Sequence, residues 1–249
     1  MKIDPQTQTI KSLSHELRLF GIHGSIERRA TEAQASGFHP LEYLRLILED
    51  EKIFRQERTA KVLTTRARFR SDAELENWDQ AFERGLSKLK FRELAALGFF
   101  ANHENLLITG STGTGKTHLS IALGKKLCLA GLSVQFGSVN LILEEAQSEK
   151  TAGKYLGWIK RMTRTNVLVI DDFALREYTH EEAGIMLDLF EERYRKGVLI
   201  VTSQVDPRGW KKLFEDPVIA ESITDRMINP SRIIEFKGPS YREKLKMSS

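Results

Sequence analysis

Cysteine is almost missing from this chain. Cys128 is the only one in 249 residues, so no internal disulfide can form, and the composition suits a reducing cytoplasm. Long apolar runs are missing as well. None approaches the ~18 residues that a membrane span needs, and the polar opening stretch from Met1 to Gln8 has no signal-peptide character. There is no internal repeat and no low-complexity tract. His15, His23, His39, His103, His118 and His180 are scattered without ligand spacing, so no metal site built from histidines is expected. What remains is ordinary: 41% hydrophobic and 29% charged residues describe a globular chain, long enough for between one and two domains at ~150 residues each.

The charge is small but unevenly placed. Lys and Arg number 38 against 34 Asp and Glu, a net of +4. Residues 1–70 hold 13 basic and 9 acidic side chains, whereas residues 71–249 hold 25 of each. The whole surplus therefore lies in the first 70 residues. It is steepest over residues 52–70, with seven Lys/Arg and one acid, Glu57.

Leu13, Leu17 and Phe20 recur at helical spacing, and Gly21 and Gly24 are expected to break the chain before a second helix from about Ser25 to Gly37. A longer helix is expected from Pro40, with Leu41, Leu44, Ile47 and Leu48 on one face, running on into the basic stretch. Residues 71–104 read as a connector with a short helix around Leu86 to Leu97. From Asn105 short apolar runs alternate with helical patterns: Leu106–Ile108, Val134–Phe136, Val167–Ile170, Val198–Val201 and Ile233–Ile234. Near-continuous Val, Ile and Leu mark strands buried on both faces, and alternation with helices marks a parallel α/β sheet. The expected organisation is a small helical basic domain over 1–70, a connector over 71–104 and an α/β domain over 105–249. Cys128 and Trp78, Trp158 and Trp210 are expected in core or subunit contacts.

Gly110, Ser111, Thr112, Gly113, Thr114, Gly115, Lys116 and Thr117 match G-x-x-x-x-G-K-[S/T] in full, between a strand and a helix. Glycines let backbone N–H groups wrap phosphate oxygens, and the helix turns its positive end toward them. Lys116 is expected to reach the β- and γ-phosphates of a nucleotide, and Thr117 to ligate Mg²⁺. Val167–Ile170 ends in Asp171 and Asp172, at the carboxyl edge where open α/β sheets bind ligands. Asp171 would hold Mg²⁺ through its water shell, and Asp172 would orient or activate the attacking water. Val198–Val201 ends in Thr202, Ser203 and Gln204. Gln204 is expected to sense the γ-phosphate or the lytic water, with Ser203 the next choice.

These residues together resemble the AAA+ ATPases of the DnaA/DnaC clade, and within it the IstB family of transposition helpers. The resemblance rests on the loop through His118, on Val169–Asp172, Arg193-Tyr194, Thr202-Ser203, Trp210, Phe214–Asp216, Asp225-Arg226 and Gly238–Arg242. It is strongest over about residues 90–245. It implies a P-loop AAA+ core that binds ATP and Mg²⁺, oligomerises on duplex DNA as a ring or helix, remodels the DNA, and recruits or stimulates an IstA-like transposase. His118 joins the nucleotide-binding set, and Arg226 matches the arginine finger that reaches a neighbouring subunit's ATP. Gln204 stands where the family usually has Asn, and Asp172 where AAA+ enzymes in general have Glu. The chain leaves little room after Arg242 for the usual helical lid. The shorter acid suggests slow hydrolysis, with ATP acting mainly as an assembly switch.

Two basic clusters are candidates for sequence-nonspecific DNA contact. Lys52, Arg55, Arg58 and Lys61 form a row on one helix face, followed by Arg66, Arg68 and Arg70. Lys154, Lys160, Arg161 and Arg164 fall in the region that faces the central channel in AAA+ rings. A replicative helicase loader of the DnaC type is the alternative reading. A small-molecule kinase would need an acceptor pocket and an Arg-rich lid that the sequence does not display.

Overall fold

All five apolar runs become strands: β1 (Asn105–Gly110), β2 (Val134–Ser138), β3 (Val167–Phe173), β4 (Val198–Ser203) and β5 (Ser231–Phe236). The computed structural model describes residues 4–247, so the first three residues of the opening stretch lie outside the described residues. The strands form one parallel sheet in the order β2-β3-β4-β1-β5. Pairing Leu107 with Val201 and Ile233 puts β1 between two partners that both come later in the chain.

The alternation of side chains along a strand divides the core into two layers. Leu107, Leu168, Ile170, Leu199 and Val201 face one side, where α7 (Val139–Thr151), α8 (Tyr155–Thr163), α9 (His180–Arg193) and α10 (Pro217–Ile228) cover them. Leu106, Ile108, Val167, Val169, Val198 and Ile200 face the other, under α6 (Lys116–Leu129). Burial on both faces explains why the runs of the central strands β1, β3 and β4 carry no polar alternation. β5, at an edge of the sheet, leaves Ile233 exposed, contrary to the expectation of burial on both faces. Cys128, Trp158 and Trp210 are fully buried, and burial pushes the Cys128 thiol up.

The segment expected to be a connector is part of that second layer. Phe91 and Leu94 of α4 (Lys88–Ala95) and Phe99 of α5 (Gly98–Ala101) are buried in it, with Ala73, Leu75 and Trp78. The chain divides into two compact units between Val62 and Leu63, earlier than the expected residue 70. The reason is local: Leu63 and Ala67 already belong to the core under α6. After β5 comes one short helix, α11 (Tyr241–Met247). No helix among the described residues is long and apolar enough to cross a membrane.

The first unit holds α1 (Pro5–Glu16), α2 (Phe20–Ser36) and most of α3 (Pro40–Ala67). Gly21 and Gly24 do not break the chain there; both lie inside α2. The break falls at Arg18, which takes a left-handed conformation, φ 57°. Its N–H donates to the His15 carbonyl and the Leu19 N–H to the Ser14 carbonyl, closing α1 with the bond pattern of a Schellman cap. Gly21 serves close approach instead. A Cβ there would come within 2.6 Å of the Glu51 Cα and 2.8 Å of the Asp50 carbonyl. No side chain of its own caps α2; Glu51 reaches across from α3, accepting from the N–H groups of Gly21 (2.7 Å) and Ile22 (3.1 Å).

Substituting Gly21→Ala is expected to destabilise the chain by about 1–3 kcal/mol through the backbone clash. Gly24→Ala, which meets nothing within 4 Å, should stabilise it by up to about 1 kcal/mol; urea unfolding of both variants measures the difference. Burial works to raise the Glu51 carboxyl, but Arg55 and the two amides outweigh it and hold it below its ordinary value. Its contribution to stability is therefore present above the unfolded value of about 4.3 and is lost as the pH falls through the folded one. Glu51→Gln should remove that part of the acid slope in the same unfolding experiment.

Candidate functional site

The loop between β1 and α6 is a glycine-shaped turn whose backbone faces a cavity of about 400 Å³. Gly113 has φ 80°, and a Cβ there would collide with the Ser240 side chain. The Gly113 carbonyl accepts from the Tyr241 N–H at 2.9 Å, so the segment after β5 rests on the loop. Thr114 is buried and its hydroxyl donates to the Ser111 carbonyl, 2.9 Å. No side chain caps α6, which leaves its first amides open to an anion. Lys116 folds back on its own loop, donating to the Gly110 (2.7 Å) and Ser111 (2.8 Å) carbonyls. Burial pushes its ammonium below the ordinary value, against the pull of Asp172 and Asp171.

At the end of β3 the ladder with β4 slips between Ile170 and Phe173. Asp172 sits in that bulge with φ 58°, a conformation a non-glycine residue adopts only where its surroundings hold it. The bulge separates the two acids. Asp171 is fully buried, whereas the Asp172 side chain is 34% exposed and lines the cavity. Thr117 donates to Asp171 Oδ1 at 2.9 Å. Burial pushes the Asp171 carboxyl up, with the Asp172 charge in the same direction, while Thr202, Arg70 and Thr117 pull it back.

In the sequence Thr202 has a place at the polar end of a strand but no partner, and Arg70 and Arg84 have no place in the site at all. Thr202, at the end of β4, donates to Asp171 Oδ1 at 2.5 Å and accepts from the Asp172 N–H at 3.0 Å, so one hydroxyl fixes both acids. Arg70, read as part of a basic stretch facing DNA, instead turns in to Asp171, 2.5 Å away. Arg84 is buried under the loop, donating to the Thr114 carbonyl at 3.2 Å, with its guanidinium 4.1 Å from the Trp78 ring centre and 4.6 Å from that of Tyr241. The pattern Arg66, Arg68, Arg70 hid the first arginine in a run, and nothing near Arg84 marks it as buried.

The remaining expected residues divide between the cavity and elsewhere. Thr112 donates to Gln204 Oε1 at 2.7 Å, linking the loop to the end of β4; Ser203 is turned to the Val205 backbone. His118 lines the cavity beside Trp78, ring centres 5.7 Å apart. Arg226 is at the other edge of the sheet, in a second cavity with Asn105 and Gly197 at the amino ends of β1 and β4. It pairs with Glu191 at 3.0 Å. Among the basic clusters, Lys52, Arg58, Lys61, Arg66 and Arg68 are exposed, and Arg55, though exposed, is held by Glu51 at 2.7 Å. Lys154, Lys160 and Arg164 are exposed, while Arg161 is tied to Glu145 and Glu149 at 3.2 and 3.0 Å. No cluster of His, Cys, Asp and Glu able to hold a metal occurs among the described residues.

A parallel sheet with this strand order, a phosphate-binding loop after β1 and paired acids at the end of β3 defines a P-loop ATP-binding domain of the AAA+ class. Solved structures share the fold: AMPPCP-bound DnaA from Aquifex aeolicus (TM-score 0.57, 21% identity, covering 72% of this chain and 56% of that one) and the DnaC helicase loader (TM-score 0.56, 18% identity, 67% and 97%). A further DnaA structure of this fold is bound to AMPPCP and single-stranded DNA (TM-score 0.55, 20% identity, 72% and 56%). The model of the IstB-like ATP binding protein family matches residues 12–249, and the chain belongs to that family. It is 32% identical, over 94% of its length and 93% of the relative's, to a protein of Mycobacterium tuberculosis named as an ATP-binding protein in an insertion sequence. It is 30% identical, over 95% and 89%, to the protein of Pseudomonas aeruginosa named as the ATP-binding protein of insertion sequence IS21.

Thr202→Val keeps the side-chain shape but takes one of three partners from the buried Asp171 carboxylate and leaves the Asp172 amide without its acceptor. It should cost about 1–3 kcal/mol in chemical unfolding, whereas Thr202→Ser, which keeps the hydroxyl, should stay close to the parent.

Proposed function

We propose that this chain binds ATP with Mg²⁺ above the loop, hydrolyses it slowly, and in its ATP state assembles on duplex DNA to regulate a partner transposase. The observation that carries the reading is the meeting of Lys116, Thr117 and Asp172 at one cavity, with Asp171 buried directly behind Thr117. The donor set fits the metal: a hydroxyl and a carboxylate are hard oxygen ligands suited to Mg²⁺. When bound, that ion would neutralise charge on the β- and γ-phosphates.

The protein's own residues then have separable tasks. Lys116 exchanges the carbonyls of Gly110 and Ser111 for phosphate oxygens. The open amides of α6 take the remaining phosphate charge. Asp172, held on the cavity side by the bulge, orients a water and accepts its proton. Gln204 follows the loop through Thr112. Arg226 lies away from its own loop, which suits a guanidinium delivered to a second copy. Exposed Lys52, Arg58 and Lys61 supply phosphate contacts without sequence choice.

Relatives named for insertion sequences match along nearly the whole chain, which favours a transposition helper. The likeness to DnaC supports a helicase loader as the second reading, through the fold alone. Lys116→Ala should abolish binding of a fluorescent ATP analogue. Asp172→Asn should keep binding and lower hydrolysis by about 10²-fold or more. Electron microscopy with an ATP analogue should show an assembly that depends on duplex DNA and is lost in Arg226→Ala; a persistent monomer with small-molecule kinase activity would sink the reading. Changing Lys52, Arg58 and Lys61 together to Ala should weaken duplex binding equally across sequences and flatten its salt slope by ~0.9 log unit per lost contact.

A further inference from the structure

The second unit begins with a short strap that ends inside the nucleotide site. The chain leaves α3 at Ala67, which is fully buried, and Arg68 turns it with a left-handed φ of 59°. That turn drives Phe69 into the core. Its ring lies 5.9 Å from that of Phe136 and so close to Gly124 of α6 that a Cβ there would come within 2.7 Å of it. Beyond Arg70, Asp72 pairs with Lys125 of α6. The strap is thus anchored on both sides of Arg70.

Between those anchors, Arg70 reaches the acids. Nη2 lies 2.5 Å from Asp171 Oδ2 and donates to Thr117 Oγ1 at 3.1 Å. Nη1 lies 3.5 Å from Asp172 Oδ2. One guanidinium therefore touches both residues expected to hold the metal and the acid expected to hold the water. Two carboxylates so near one another, one of them fully buried, repel unless a cation stands between them. Arg70 supplies that cation from within the chain; a divalent ion is the other species that suits the same oxygens.

We propose that Arg70 is a built-in competitor for the metal position: it holds the acids in the metal-free state, and loading of Mg²⁺ with nucleotide expels its side chain from them. This rests on the nucleotide reading of the site. An internal occupant lowers the apparent affinity of a ligand by the fraction of time that it leaves the site open. Removing it should raise metal affinity while leaving the acids without their cation when metal is absent.

Three measurements on the full chain test this. In Arg70→Gln, the Mg²⁺ concentration that half-saturates binding of mant-ADP should fall roughly tenfold. The metal-free variant should melt below the parent, and MgCl₂ without nucleotide should raise its Tm more than the parent's; Arg70→Lys, which keeps the charge but not the fork, should fall between. In the unaltered protein, trypsin should cut after Arg70 faster with ADP and Mg²⁺ than with ADP and EDTA, because the protease needs the side chain released. This last measurement decides the matter even if both variants fail to fold. An unchanged Mg²⁺ midpoint in Arg70→Gln, or equal cleavage in the two conditions, overturns the proposal. Should the parent bind no nucleotide, the ATP reading fails, while melting with MgCl₂ alone still tests Arg70.

Discussion

The Asp171 carboxylate has no exposed surface, and three parts of the chain come together to satisfy it. Thr117 arrives from the helix after the loop, Thr202 from the neighbouring strand, and Arg70 from the strap that follows α3. A buried acid without such partners would cost several kcal/mol, so their positions are coupled. Thr202 passes the constraint on by holding the Asp172 amide, which keeps the bulge in place and the second acid toward the cavity. The separation of the two carboxylates, one sealed and one open, follows from that single shared hydroxyl.

Much of the second unit was readable from the sequence because its signals are local. A strand buried on both faces has to be an unbroken apolar run, and Val167–Ile170 and Val198–Val201 are that. A phosphate loop needs its glycines, lysine and threonine within eight consecutive positions, and all of them are there. The roles of Thr202, Arg70 and Arg84 were not readable, because their partners are distant in sequence: Thr202 meets Asp171, Arg70 meets Thr117, and Arg84 meets Thr114. Spacing rules register neighbours on one helix or strand and carry no information about such meetings. Arg226 illustrates the same point, since its partner Glu191 lies 35 residues away in the chain.

In the first unit the difficulty was of another kind. Glycine is the usual residue in a left-handed helix cap, but here Arg18 occupies that conformation, while Gly21 is spent on closeness between helices. The break and the glycine are therefore displaced from one another. Charge counting misleads in a similar way. Residues 52–70 carry a formal +6, yet Arg55 is engaged by Glu51 and Arg70 by the acids of the site. The charge presented to a partner is therefore smaller than the sum.

The placement of β1 has a consequence for how the molecule comes into being. Both of its neighbours, β4 and β5, are made after it, and the Gly113 carbonyl finds its donor only in Tyr241. During synthesis the loop therefore leaves the ribosome long before the strands that flank it and the amide that rests on it. Its finished shape waits for nearly the whole α/β unit. The site is among the last parts of the molecule to exist, and a ribosome stalled before β5 would carry the complete motif without the pocket.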